Sequence, residues 1–451
     1  MTPAARSRVI WWVRRDLRLA DNPALASAAS GEVFPLFVLD PALLGPAGHP
    51  RVAFLRGCLA DLRDATDGAL VLRWGDPATV VPRLVQDVGA DRVVIAADAG
   101  PYGRRRDAAV ADRLDDLSVP LERAGSPYAV APGRVLTSAG SPFRVFTPFH
   151  RAWTSHGWPE PIGVPEPVRW GRGLDSGELP PAVSGPPAMA APGERAAHDR
   201  LDRFLDRVDG YAEDRNRPDL EHTSRLSPYL RFGCLHPRQI LAALGDGPGE
   251  RAVRRELCWR DFYADVLYHR PESARTALQV RLGAMEVDSG PEADRRLEAW
   301  KRGLTGYPLV DAGMRQLRAE GWMHNRVRML TASFLVKHLH LDWRLGAREF
   351  MRRLVDGDLA SNSHGWQWTA GTGTDPAPFH RVFNPTLQAE RFDPDGSYIR
   401  RYVPELRGLV PPEIHRPWTV VGGPPPGYPP PIVDHADARA EALRRHAAAR
   451  G

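Results

Sequence analysis

The first third of the chain alternates short β-rich runs with stretches of helical spacing, and this constrains the fold more than any other feature. Candidate strands are Val9 to Val13, Val33 to Leu39, Ala69 to Arg73 and Arg92 to Ala96. Between them, Asn22 to Ser30, Val52 to Thr66, Pro77 to Val88 and Tyr102 to Leu117 carry apolar residues at helical intervals. Strand then helix, repeated, implies a parallel sheet with helices on both faces, because parallel neighbours need long crossovers. From Pro159 to Pro192 the chain is loaded with proline and glycine (WPEPIGVPEPVRWGRG, ELPPAVSGPPAMAAPG), a composition expected of a connector running over the surface. Helical patterns then follow almost without a break: Glu194 to Asp209, Arg238 to Ala243, Arg251 to His269, Ala293 to Arg302, Val310 to Glu320, Arg326 to His340 and Ala347 to Val355. The expected fold class is α/β plus all-α. A doubly wound, Rossmann-like domain over 1–130 is followed by a connector over 131–194 and a helical domain over 195–451.

Composition removes several alternatives. An apolar share of 43% and a charged share of 25% are those of a soluble globular protein. No run approaches the roughly 20 apolar residues of a membrane helix. The N-terminal MTPAARSRVIWWVRRDLR breaks into charge where a secretory signal needs an apolar stretch. A cytoplasmic protein with no membrane association is expected. Cys58, Cys234 and Cys258 show no C-x-x-C spacing, so neither a disulfide framework nor a metal site is indicated. The net charge of +5 permits nucleic-acid binding without arguing for it, since a basic patch matters more than a total. No G-x-G-x-x-G follows the first strand and no G-x-x-x-x-G-K-[ST] occurs, which removes the ordinary dinucleotide and nucleoside-triphosphate readings.

Chemistry concentrates in Asp356 to Pro385, DGDLASNSHGWQWTAGTGTDPAPFHRVFNP. Two carboxylates (Asp356, Asp358), an amide (Asn362) and two indoles (Trp366, Trp368) fall within a few turns, and the glycines after them let the backbone pass close to something bulky. Upstream, Thr223-Ser224-Arg225-Leu226-Ser227 puts three hydroxyls, backbone N–H groups and a cation in one loop, equipment suited to a pyrophosphate.

With these segments in view, the chain resembles the photolyase and cryptochrome family, and specifically its class I cyclobutane pyrimidine dimer photolyases. The likeness runs almost end to end: VRRDLRLADNPAL, FRVFTPFHRAW, TSRLSPYLRFG, ELCWRDFY, TGYPLVDAGMRQLRAEGWMHNRVRMLTASFLVKHL and GDLASNSHGWQWTAGTGTD. The resemblance implies FAD bound in the helical domain and UV-damaged DNA as partner. It also implies light-driven splitting of a flipped-out cyclobutane dimer by an electron from excited, reduced FAD. A monomer is expected, at the nucleoid when bound to DNA.

The family's roles carry over position by position. Tyr211 and Thr223 to Ser227 match pyrophosphate contacts. Arg328 and Asp356 match an ion pair beside the flavin ring, with Asp358 near its pyrimidine edge. Asn362 matches the residue facing the flavin nitrogen that is protonated on reduction, a role suited to an amide that can both accept and donate. Glu256 matches a carboxylate between adenine and lesion; to donate, it needs a raised pKa or a bridging water. Arg260 and Asn325 are further cofactor contacts. Trp259 and Trp368 match the indoles against which the dimer packs, with Met329 and Asn325 facing it too. Trp366, Trp343 and Trp300 match a chain that carries an electron from the surface to the flavin. Arg215, Arg326 and Arg381 match DNA contacts. For His364 two roles stay open, tuning the flavin or capping a turn.

The antenna expected in the N-terminal domain departs from the folate-binding type, which has Asn-Glu where this chain reads Tyr102-Gly103 in GPYGRRRD. A deazaflavin, or no antenna, is expected instead. Two rivals remain. The (6-4) enzymes use paired active-site histidines, whereas the matching stretch here is Trp322-Met323-His324-Asn325-Arg326. Signalling cryptochromes commonly carry a long C-terminal extension and altered lesion contacts, whereas this chain ends soon after a Pro-rich segment with those contacts intact.

Overall fold

The computed structural model describes residues 7–374 and 381–450. Asp375, the end of the GTGTD motif, lies outside the described residues, as does the N-terminal MTPAAR. The sheet contains β1 (Arg8–Val13), β2 (Glu32–Leu39), β3 (Val71–Trp74), β4 (Arg92–Ile95) and β5 (Leu121–Arg123), ordered β3-β2-β1-β4-β5. All described pairings within this sheet are parallel, with Trp11 opposite Pro35 on one side and Val94 on the other. Helices α1 (Pro23–Ala28), α2 (Pro41–Leu44), α3 (His49–Ala65), α4 (Pro77–Val88) and α5 (Pro101–Asp115) lie between the strands. Alternation along β1 divides its side chains: Ile10 and Trp12 pack with Val81, Leu84 and Val110, while Val9, Trp11 and Val13 pack with Leu25, Phe54 and Leu59. Burial on both faces is why this strand reads as continuously apolar.

The connector does more than run over the surface. Helix α6 (Phe146–His156) buries Phe146, Phe149 and Trp153, spaced three and four residues apart, and β6 (Arg169–Trp170) pairs with β2. Neither was expected. The apolar residues of α6 are sparse and flanked by proline and charge, and a two-residue strand has no readable period. Phe146 and Trp153 join the same core as Trp11 and Phe262, so sheet and helical region share one continuous interior.

The helical region comprises α7 (Glu194–Leu205), α8 (Tyr211–Asp214), α9 (Ser227–Phe232), α10 (Pro237–Ala243), α11 (Pro248–His269), α12 (Val280–Gly283), α13 (Pro291–Arg302) and α14 (Pro308–Glu320). It continues with α15 (Asn325–Lys337), α16 (Trp343–Arg353), α17 (Leu359–Ala370), α18 (Pro385–Phe392), α19 (Ser397–Tyr402) and α20 (His435–Arg450). Helix α17 is started by Asp358, whose carboxylate accepts from Ser361 N, and stopped by Gly371 at φ 80°, where a side chain would be strained. It is wedged close to α16: a Cβ on Gly346 would fall inside van der Waals distance of the Trp366 indole, so only glycine fits there.

Candidate active site

Helices α11, α15, α16 and α17, with the segment from Tyr211 to Arg231, enclose a cavity of about 520 Å3. That is within the range of small-molecule sites, roughly 300–1,000 Å3. Helical periodicity explains which residues of α17 reach it. Ser361, Asn362, Gly365, Trp366, Trp368 and Thr369 line the cavity, whereas Ser363, His364 and Gln367 face the other way. His364 is fully buried; its Nε2 lies 2.9 Å from Ser273 Oγ and its Nδ1 donates to Ala360 O at 2.8 Å. Burial lowers its pKa to about 4, so it is a neutral bolt behind α17 and neither lines the cavity nor caps the helix.

The buried part of the cavity is polar and specifically wired. Asp356 Oδ2 accepts from Arg328 at 2.8 Å and from Ser227 Oγ at 2.6 Å, while its buried Oδ1 has no protein partner among the described residues. The Trp366 Nε1 is likewise buried without one. Unmatched buried polar atoms are costly unless something else satisfies them. At Gly365 a Cβ would meet nothing within 4 Å, so the cavity reaches the backbone. Asn362 Nδ2 donates to Ala347 O at 3.0 Å, which leaves its carbonyl oxygen as the free end. The Thr223–Ser227 loop is shaped by Arg200, which takes the carbonyls of Thr223 and Ser224 at 2.9 and 2.7 Å, and by Arg225 in a left-handed conformation. Ser224, Leu226 and Ser227 reach the cavity; Arg225 instead pairs with Glu320 at 2.7 Å and covers Trp322. These donors and unmatched atoms suit a flavin dinucleotide, an anionic diphosphate joined to a polar ring system.

The lining also includes Tyr211, Arg215, Glu256, Trp259, Arg260, Asn325, Arg326, Met329 and Trp368. Two half-buried indoles come from different helices, Trp259 from α11 and Trp368 from α17. Arg215, expected on DNA, is held by Glu256 at 2.6 Å, and Arg326 by Asn216 Oδ1, also at 2.6 Å.

Comparison with known proteins decides what such a cavity belongs to. Residues 253–448 match the family model described as the FAD binding domain of DNA photolyase, and residues 9–167 the model described as DNA photolyase. The deoxyribodipyrimidine photo-lyase of Halobacterium salinarum is 40% identical, covering 98% of this chain and 99% of the relative. That of Streptomyces griseus is 43% identical over 94% and 96%. The chain belongs to the DNA photolyase family. The solved structure of a class III photolyase from Agrobacterium tumefaciens superposes with a TM-score of 0.92 at 37% identity, covering 100% of both chains. The likeness therefore extends beyond class I photolyases, and the residues matched to the family's FAD-binding domain supply most of the cavity lining, the rest coming from Tyr211 to Ile240.

Several expectations drawn from the photolyase resemblance need correction. Trp366 lines the cavity and its ring centroid is 6.1 Å from that of Trp300, but Trp300 is 0% exposed, with Nε1 donating to Thr331 O. Trp343 is 8% exposed. A chain ending at Trp300 thus stops inside the protein, not at its surface. Thr223 and Arg225 do not line the cavity. Arg260, expected as a cofactor contact, lines the cavity while donating to the carbonyls of Pro127 and Leu230 at 2.8 and 3.1 Å. Arg381, expected on DNA, is exposed and lies outside the lining, which leaves that expectation uncontradicted. Sequence reasoning missed Asn216, Arg231 and Tyr263 in the lining, and Arg200 behind it; arginines as frequent as here give no signal of their own.

Asp358 sits where two cavities meet. Its Oδ2 accepts from Arg15 of the N-terminal region at 2.8 Å. Burial alone would raise its pKa, but Arg15, Arg231 and Arg260 together with the Ser361 N–H hold it well below the usual carboxylate range. On the sheet side lies a second cavity of about 230 Å3, beyond the carboxyl ends of β1, β2 and β4. Trp12, Asp40, Asp98, Tyr102 and Arg106 line it, with Tyr102 OH bonded to Asp40. Strand order reverses at β1, the switch point where open α/β sheets bind ligands.

Proposed function

We propose that this protein is a light-driven photolyase that repairs cyclobutane pyrimidine dimers in UV-damaged DNA. The observation that carries this reading is a single cavity combining buried, unsatisfied polar atoms with two half-buried indoles in its lining. Bound FAD supplies the photoexcited electron. Tyr211, Ser224, Leu226 and Ser227 would hold the diphosphate of FAD, the Arg328–Asp356 pair would serve its ring system, and the carbonyl oxygen of Asn362, its amide nitrogen already donating to Ala347 O, would be free to accept from a protonated ring nitrogen. Trp259 and Trp368 stack on the extruded lesion, as aromatic faces do with exposed bases; photolyases are among the enzymes that take their target base out of the duplex stack. Met329 and Asn325 complete the pocket. Glu256 acts from its ion pair with Arg215, so its hydrogen bond to the lesion runs through a bridging water or waits on that pair opening. Arg326 and Arg381 contact phosphates. In the second cavity we place a deazaflavin antenna, supported by its aromatic and cationic wall and by the lost folate carboxylate.

The test is to photoreduce the FAD-loaded protein and mix it with an oligonucleotide carrying one thymine cyclobutane dimer, in blue light and in darkness. Loss of the lesion in light alone is expected. No repair despite reducible FAD would overturn the reading, and activity on a (6-4) lesion would name the substrate instead. A folate extracted with the native protein would overturn the antenna assignment.

A further inference from the structure

We infer that Phe146, carried by the connector, is a positioning residue for lesion recognition, fixing the plane of Trp259 from behind. The inference rests on the reading of Trp259 as a lesion-stacking face. The two rings lie 3.6 Å apart and 4° from parallel. Phe146 is 1% exposed, on α6, whereas Trp259 on α11 is half-buried and lines the cavity. On α11, Arg255 sits one turn before Trp259 and holds its Cζ 5.0 Å over the Phe146 ring. The indole occupies one face of that ring, so the guanidinium takes the other. Phe262 closes the edge, 5.8 Å from each ring in a T-shaped arrangement. The result is a layered stack of guanidinium, phenyl and indole, with the indole lining the cavity and Tyr263 tilted against it at 5.3 Å.

Stacking a flipped base needs a flat partner already in place. A partly exposed indole samples several rotamers, and fixing one at the moment of binding weakens affinity. A parallel ring at van der Waals distance removes most of that freedom beforehand. It also closes one indole face, so a lesion can stack only from the flavin side. Phe149, on the same helix, is buried against Phe262 at 5.1 Å and has no ring contact with Trp259. It therefore separates a general role in docking α6 from a specific role behind the indole.

The experiment uses the full-length, FAD-loaded protein and four variants: Phe146→Leu, Phe146→Tyr, Phe149→Leu and Trp259→Ala. Binding to a dimer-containing oligonucleotide and to its undamaged counterpart is measured, with repair yield per absorbed photon for the bound complex. Phe146→Leu should raise the Kd for dimer DNA about five- to tenfold, the scale of one lost aromatic stack. Affinity for undamaged DNA, FAD content and yield in the saturated complex should hold. Phe146→Tyr should restore affinity to within about twofold, and Phe149→Leu should keep full discrimination. Equal losses in the two leucine variants, or none in Phe146→Leu while Trp259→Ala weakens dimer binding, would overturn the inference alone. If Trp259→Ala itself binds dimer normally, the lesion-face reading fails first and takes this one with it.

Discussion

Replacing Gly346 with alanine should loosen the flavin site while breaking nothing that touches it directly. An alanine Cβ there would lie 2.5 and 2.6 Å from Trp366 Cζ3 and Cζ2, and closer still to Cη2. Ordinary carbon contacts begin near 3.4 Å, so the indole must retreat by about 1 Å or more. Phe350 and Trp300, with centroids 5.0 and 6.1 Å away, block it on the core side, which leaves the cavity as the open direction. Two effects compete. Alanine gains about 1 kcal/mol over glycine in a helix interior, whereas overpacking a core costs about 1–3 kcal/mol. Because both α16 and α17 are held by further packing, the clash wins, with a net loss of up to about 2 kcal/mol. FAD affinity should fall about tenfold or more, since the displaced ring enters the binding space. Urea unfolding of the FAD-free protein would measure the first effect, and FAD retained after dialysis the second. Full FAD content with an unchanged or raised midpoint would refute the wedge between Gly346 and Trp366.

Three other outcomes are expected. Asp358→Asn should cost about 2 kcal/mol at pH 7 by stranding Arg15. The folded pKa of Asp358 is depressed, so its contribution is present above the ordinary carboxylate value and fades as pH falls below about 4. The gap between variant and wild type, measured by urea unfolding, should therefore shrink toward pH 3, and a constant gap would disprove it. Burial holds His236 and His364 near a pKa of about 4, and His324 and His338 near about 3, so all four stay neutral in the folded protein. The unfolded chain takes up those protons below about pH 6.5, so stability should drop as pH falls through that value, by up to about 1.4 kcal/mol per pH unit for each histidine. His338→Gln should flatten that slope in pH-dependent unfolding, and an unchanged slope would count against it. Arg381→Ala should lower the slope of log affinity for DNA against log salt by about one, uniformly for damaged and undamaged DNA; a loss confined to damaged DNA would mean that Arg381 reads the lesion.

The parallel sheet, the succession of helices, and the part of the cavity lining that comes from the Asp356–Trp368 run and the Thr223–Ser227 loop were legible in the sequence because each depends on local order, whereas the rest of the expected lining came from the family resemblance. A period of two buried both faces of β1, and the run from Asp356 to Trp368 put its functional side chains on one face of α17 while His364 and Gln367 turned away. Spacing says which residues share a face; it does not say what meets that face. Only the tertiary structure set Arg15 on Asp358, 343 positions apart, Glu256 on Arg215, and Phe146 on Trp259. Depth was equally hidden: an indole suits a buried or an exposed place, and it is the packing of Phe350 and Trp366 around Trp300 that encloses it. Packing in a separate core drew the connector inward, because three aromatic residues of α6 bury more favourably against α11 than in water, whatever the proline content around them.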